Sequence, residues 1–391
     1  MNPTPGDDHD PALPGPHAHL DSHRASGFPG PDAHPDCHRT FGFPGPDAHP
    51  DFRRPSAFPG PHTHRQPHRP SGRSGAALPG SHARPRKGAA AALPVILAAI
   101  AALAIAVLGA RYAAHGTGEL RIPAAGTTTL LRTAVFAALA VHLGELAGTR
   151  VAGPGPLPRA WSRAAALTGA AACAGQIVLV AAVNDIDIVT AYGTREGRLL
   201  LLMANGFLAA AACATPRRPL LALAPLVLVV VTESFRAHPE PYTPEIGTAL
   251  TLVHLTAASL WAGGLLHALR VLWTRRANRT AALAALAGYA RLAGLPLLLL
   301  AVTGTFSTLR RLPLDVVLTS AYGRVLIAKL LLVTVACTLA ATARHRMLRA
   351  RPDAVPPARV ELAFLGVILL VSALLTVVPD PHWVSTELGI R

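Results

Sequence analysis

The run Ile246–Trp273 reads IGTALTLVHLTAASLWAGGLLHALRVLW. It carries two histidines and one arginine in 28 residues, and no acid. A helix of roughly 20 such residues already crosses the hydrocarbon core of a bilayer. The same pattern recurs on both sides of it. Apolar runs occupy Leu93–Tyr112, Thr127–Ala147, Trp161–Val183, Leu199–Ala214, Leu220–Phe235, Ala281–Leu309, Tyr322–Ala343 and Ala358–Val378. The fourth and fifth runs, counted along the chain, are short and separated by TPRRP, so they make either a tight pair or one broken span. The sequence therefore predicts an all-α polytopic membrane protein with about nine transmembrane helices, eight if that pair is one. A barrel would instead show alternating strands of about ten residues.

Composition agrees. Over 391 residues, 51% are hydrophobic and only 15% charged, against roughly 25% in soluble domains, and mean hydropathy is +0.37 despite a polar N-terminal stretch. The net charge of +15 suggests nucleic acid at first sight. The arginines, however, sit in short loops between apolar runs, so a nucleic-acid partner is not expected. Arg84, Arg86 and Lys87, then Arg150, Arg159 and Arg163, Arg217 and Arg218, Arg275, Arg276 and Arg279, and Arg344 to Arg351 fall on alternate loops. The other loops hold Glu119, Asp185, Asp187, Glu196, Glu240, Glu245 and Asp315. Cytoplasmic loops are the basic ones, which predicts the N-terminus inside and the C-terminus outside. Arg310 and Arg311 run against this alternation.

Residues 1–88 form a separate segment. A 15-residue unit repeats there, as in GFPGPDAHPDCHRTF from Gly27 and GFPGPDAHPDFRRPS from Gly42. Its prolines and glycines interrupt any helix or ladder, and its apolar surface is too small to offset ordering entropy. A disordered tail is the expectation. Its histidines suit either loose metal buffering or simple expansion of a tolerant repeat.

Ionisable groups inside spans are costly and point to function. His142 and Glu145 are three residues apart and share a helix face. Their spacing suits a metal or a proton relay, or equally an internal hydrogen-bonded pair. His254 and His267 are 13 residues apart on one helix, about 20 Å along its axis and about 140° around it, so they do not share a metal. His254 pairs most readily with His238, with Glu233 or His382 nearby. Cys337 offers a soft thiolate or mere packing, and with three methionines in the chain no methionine ladder exists. Lys329 is placed to snorkel, and Glu361 to pair with a loop arginine.

Four blocks in order carry a family resemblance: HLTAASLWAGGLLHAL from His254, YARLAGLPLLLLAVTGTFSTLRRL from Tyr289, TSAYGRVLIAKLLLV from Thr319 and RVELAFLGVILLVSALLTVVPDP from Arg359. Together they resemble the CopD family of bacterial copper-resistance and copper-uptake membrane proteins. The motif positions are Trp261, Gly263, Gly264, Tyr322, Gly323, Arg324, Lys329 and Glu361. The organisation expected is a tail over 1–88, helices one to five over 89–245, a CopD-like four-helix domain over 246–381 and a short extracytoplasmic end over 382–391. The resemblance implies copper as the bound or transported ion and residence in the bacterial cytoplasmic membrane. It also implies the lipid bilayer and a periplasmic CopC-type copper-binding protein as partners. Relatives that carry a fused copper-acceptor domain have it at the N-terminus, where this chain has its low-complexity segment.

The leading expectation is copper transport, in the direction of import, with no covalent chemistry. Copper would enter at His238 and His254 with Glu233 as charge partner, and leave past Cys337, His142, Glu145 and His267. Two other classes compete. A haem-binding cytochrome would use the pairs His238–His254 and His142–His267 as axial ligands. A membrane sensor or scaffold would use the His-rich tail as its metal-binding part.

Overall fold

The computed structural model describes residues 87–119, 122–215, 218–237, 243–312, 316–349 and 355–379, with side chains from Ile100 onward. The tail repeats, His238 and His382 lie outside them. Helices follow one another as α1 (Lys87–Ala113), α2 (Ala125–Val151), α3 (Ser162–Asn184), the short α4 (Ile188–Gly193), α5 (Arg195–Cys213), α6 (Leu223–Ala237), α7 (Pro244–Thr274), α8 (Arg279–Leu292), α9 (Gly294–Arg311), α10 (Ala321–Leu348) and α11 (Val355–Leu375). Among the described residues eight segments are long and apolar enough to cross a membrane. The 27-residue helix α1 has the length of a ninth. The protein is an all-α, multi-pass membrane protein.

The two short runs around TPRRP are separate helices, α5 and α6, packed on each other. The run Ala281–Leu309 is divided instead. Pro296 has no N–H for the carbonyl of Leu292, and its ring crowds that carbonyl, so α8 stops and α9 restarts at Gly294. Elsewhere small polar residues start helices in the usual way. Thr194 Oγ1 accepts from the Gly197 amide at 2.9 Å, Asn278 Oδ1 from Ala281 at 3.1 Å, and Ser320 Oγ from Gly323 at 3.1 Å.

Helices α2 and α7 form the centre of the bundle. They cross where Gly144 meets Gly263, so closely that a Cβ on either glycine would enter the partner backbone. Small residues allow this approach, and dispersion rather than water release then holds the pair in lipid. One apolar cluster joins α2 to α3, α5 and α6 around Leu139, Leu200, Met203 and Phe207. Another joins α7 to α8, α10 and α11 around Trp261, Leu265, Leu286 and Leu365. On the opposite side Leu298, Phe306 and Leu309 of α9 and Leu331 of α10 are exposed, which suits a surface bathed in hydrocarbon.

Contacts confirm which loops share a face. Arg275 donates to the carbonyls of Ala152, Gly153 and Pro156, joining the α7–α8 and α2–α3 loops at the arginine-rich end. At the other end Arg132 donates to the Thr376 carbonyl (3.1 Å) and Glu119 accepts from the Ala321 amide (3.0 Å). The arginines at this acid-rich end are bound inward. Arg310 donates to the Thr243 hydroxyl, and Arg311 is buried. Arg236 contacts Glu233 (2.8 Å) and Glu196 (2.5 Å), with Arg132 3.9 Å from Glu196.

Candidate copper-handling site

Helix α7 carries three polar layers. The layer nearest the acid-rich end centres on His254. Its Nδ1 lies 2.9 Å from the Thr303 hydroxyl of α9. The single proton of that hydroxyl goes to the Leu299 carbonyl at 2.6 Å. Thr303 therefore accepts from Nδ1–H, and the neutral imidazole presents its lone pair at Nε2. A hydrogen bond from one ring nitrogen fixes the orientation of the imidazole. Lys329 of α10 lies within electrostatic range of the same ring and makes no ion pair among the described residues.

Two turns along α7, the Trp261 indole N–H donates to Glu361 Oε1 of α11 at 3.1 Å. The Tyr289 hydroxyl of α8 donates to the Trp261 carbonyl at 2.9 Å. Trp261, Tyr289, Cys337, Arg344 and Glu361 line a cavity of about 260 Å³. Glu361 is buried, and its partner is this tryptophan rather than the loop arginine expected from sequence. The indole answers Oε1 of a carboxyl group that also lines the cavity.

The layer at the arginine-rich end does other work. Glu145 accepts from the Trp161 and Ser162 amides (2.9 and 2.7 Å) and is bridged by Arg270, whose guanidinium also lies 3.7 Å over the Trp161 ring. It thus holds the first turn of α3 between α2 and α7. His142 is not its hydrogen-bond partner, and neither ring nitrogen of His142 has one. His142 lies about 160° around α2 from Gly144, away from α7, whereas His267 packs on Gly148 and faces α2. The structure does not bring these two histidines together. At the far end Glu233 is engaged by Arg236. Among the described residues no three His, Cys, Asp or Glu side chains converge as a metal cage.

The Tyr322-Gly323-Arg324 motif is architectural. Tyr322 is buried, Gly323 sits against the Val317 carbonyl where no Cβ fits, and Arg324 donates to the carbonyls of His115 (2.7 Å) and Ala113 (3.3 Å). It ties the start of α10 to the end of α1. Gly263 serves the α2 crossing, and a Cβ on Gly264 would lie 3.0 Å from the Tyr289 ring.

Residues 283–378 match CopD, copper resistance protein D. The CopD match takes in most of α8 and the whole of α9 and α10, and ends just past α11, about a quarter of the chain. Thr303, Lys329, Cys337 and Glu361 lie inside it, and His254 and Trp261 outside it. Over that quarter the chain is similar to a copper-resistance membrane-protein family, and with the eight membrane-length apolar segments this supports a multi-pass protein of the cytoplasmic membrane. No curated protein and no solved structure matches the chain.

Sequence reasoning did not find Thr303, Tyr289 or Arg270. A threonine in an apolar helix ordinarily bonds its own turn, as Thr303 also does, so nothing in the sequence marks it as the histidine's partner. Tyr289 is the one phenol of an alanine-rich run, and that contrast was the available signal.

Proposed function

We propose that this protein moves copper ions inward across the cytoplasmic membrane and takes part in copper homeostasis, without making or breaking covalent bonds. The observation that carries the reading is His254. It is an intramembrane imidazole whose Nδ1 is held by Thr303 of the CopD-matching segment and whose Nε2 is left to coordinate.

In this reading His254 takes the ion from the acid-rich side; His238, its partner in the sequence reading, lies outside the described residues. Glu233, the charge partner expected from sequence, is buried and paired with Arg236, so it stands off the ion in this reading. A copper ion at Nε2 and a proton on Lys329 repel each other, so the two charges compete for the place. The ion then passes Trp261 to the cavity bearing Cys337 and Glu361, a thiol and a carboxylate suited to a weakly held cation. His142 and His267 stand off this line. A CopC-type protein outside the membrane would deliver the copper.

The test is copper accumulation in cells expressing the wild type, His254→Ala or Cys337→Ser, with membrane levels of each protein measured in parallel. Accumulation above the empty-vector level that falls with His254→Ala supports the proposal. Equal accumulation in wild type and His254→Ala sinks the site assignment. Nothing in the fold or the comparisons adds support to a haem centre, and absence of a Soret band from the purified protein would close that reading.

A further inference from the structure

The second cavity of the bundle lies between α2, α7 and the α8–α9 joint. It measures about 170 Å³, and its walls include Val151, Leu260, Ala285, Tyr289 and Pro296. Its side chains are apolar save for Tyr289, whose hydroxyl donates to the Trp261 carbonyl, and His267. The imidazole of His267 is 3% exposed and has no hydrogen-bond partner on either nitrogen. A neutral imidazole carries one donor and one acceptor. Leaving both unmet in a buried place costs about 1–3 kcal/mol each, which a protein ordinarily avoids.

Three features define what would answer them. An engineered cavity of about 150 Å³ lined by aliphatic side chains accepts benzene, so this one admits a single six-membered ring. A hydroxyl both donates and accepts, and so meets an imidazole nitrogen in either tautomer. Access is from the side. Leu292 and Leu295 belong to the wall and are 48% and 61% exposed on the face that meets hydrocarbon. At that mouth Pro296 leaves the Leu292 carbonyl without its helical donor.

We propose that this cavity binds a lipid-soluble molecule with a monocyclic aromatic head bearing a hydroxyl, and that His267 recognises the hydroxyl. The site is distinct from the copper path, because His267 faces α2 while Trp261 and Glu361 face the other cavity. Tyr289 and Ala293 form the partition between the two. An occupied site would brace α8 and α9 against α7, on the same helices that hold Thr303 and Trp261.

The experiment uses the full chain in nanodiscs with ¹⁵N-labelled histidine, titrated with phenol and, separately, with toluene. The His267 ring signals are assigned as those missing from His267→Leu. The expected result is a saturable shift of these signals with phenol and binding of toluene at least about tenfold weaker, the cost of leaving the imidazole unmet. His267→Gln, which keeps a donor and an acceptor, should retain the preference for phenol, and His267→Leu should lose it. Phenol and toluene acting alike on the wild type would overturn the proposal, as would no saturable shift, the result of a cavity holding water only. The two-ligand comparison on the wild type decides the matter even where a variant fails to fold. Copper accumulation plays no part in the readout, so either result leaves the transport reading where it stood.

Discussion

The indole N–H of Trp261 and the carboxylate of Glu361 meet at 3.1 Å although 100 residues separate them in the chain. The bond joins α7, the helix that carries His254, to α11 at the end of the CopD match. It also fixes one wall of the cavity that holds Cys337. Trp261→Phe keeps one aromatic ring but removes the N–H donor and part of the indole's volume, so it should cost at least about 1–3 kcal/mol, the range for a buried polar group losing its partner. Glu361→Gln should cost less, because an amide oxygen still accepts. Unfolding of the purified protein in graded detergent mixtures measures both, and equal costs would argue against the bond.

Gly263→Ala tests the central crossing. The added Cβ meets the carbonyl of Ala140, which is backbone and has no rotamer by which to withdraw. Overpacking of this kind costs about 1–3 kcal/mol and separates α2 from α7. Gly366→Ala, on α11 with open space around its Cβ, is the matched control and should be close to neutral. Similar melting temperatures for the two variants would contradict the crossing.

Glu145→Ala should be among the most damaging changes at the arginine-rich end. It leaves the half-buried Arg270 without its carboxylate and the Trp161 and Ser162 amides without an acceptor. Loss of one partner from such a pair costs about 3–5 kcal/mol. In a double-mutant cycle, Glu145→Ala with Arg270→Ala should cost clearly less than the two single changes added together. Strict additivity would show that the pair is uncoupled.

Thr303→Val removes the acceptor that orients His254 while keeping the side-chain shape. On the transport reading, copper affinity of the purified protein falls by about tenfold or more, as for other second-shell changes. His254→Ala should abolish the same binding component. Unchanged affinity in Thr303→Val would separate the hydroxyl from any metal role.

Asp187 provides a pH test outside the membrane. Its carboxylate accepts from the Thr190 hydroxyl at 2.5 Å, from the Thr190 amide at 3.0 Å and from the Val189 amide at 2.9 Å, capping α4. These bonds, the Thr190 hydroxyl first among them, hold it below the ordinary value of 3.8. A depressed folded value stabilises the cap above pH 3.8 and loses that stabilisation as pH falls through the folded value. Amide exchange across Ile188–Gly193 should therefore stay constant from neutral pH down to about 4 after correction for intrinsic rates, and rise below it. Asp187→Asn should flatten that acid-side rise.

Much of this architecture was legible in the residues themselves. Apolar runs of about 20 residues have few fates other than crossing a bilayer, and arginine placement assigned loops to alternate faces that the contacts of Arg275 and Arg132 bear out. The four sequence blocks led to CopD, and the family match falls on three of them. Partners were another matter. Glu361 looked toward a loop arginine and bonds a tryptophan. His142 and Glu145, three residues apart, looked like a unit, yet Glu145 caps α3 and pairs with Arg270 while neither ring nitrogen of His142 has a hydrogen-bond partner.

The sequence by itself determined that this chain spans a membrane many times, because hydropathy and loop charge are local properties summed along one segment. Only the tertiary structure decided which polar groups meet. Each span offers several faces, and the face that a histidine or carboxylate presents to a neighbour depends on helix rotation and crossing. Those are set by close backbone contacts such as Gly144 on Gly263 and by breaks such as Pro296. Such contacts belong to pairs of segments distant in the chain, and no periodicity within one segment records them.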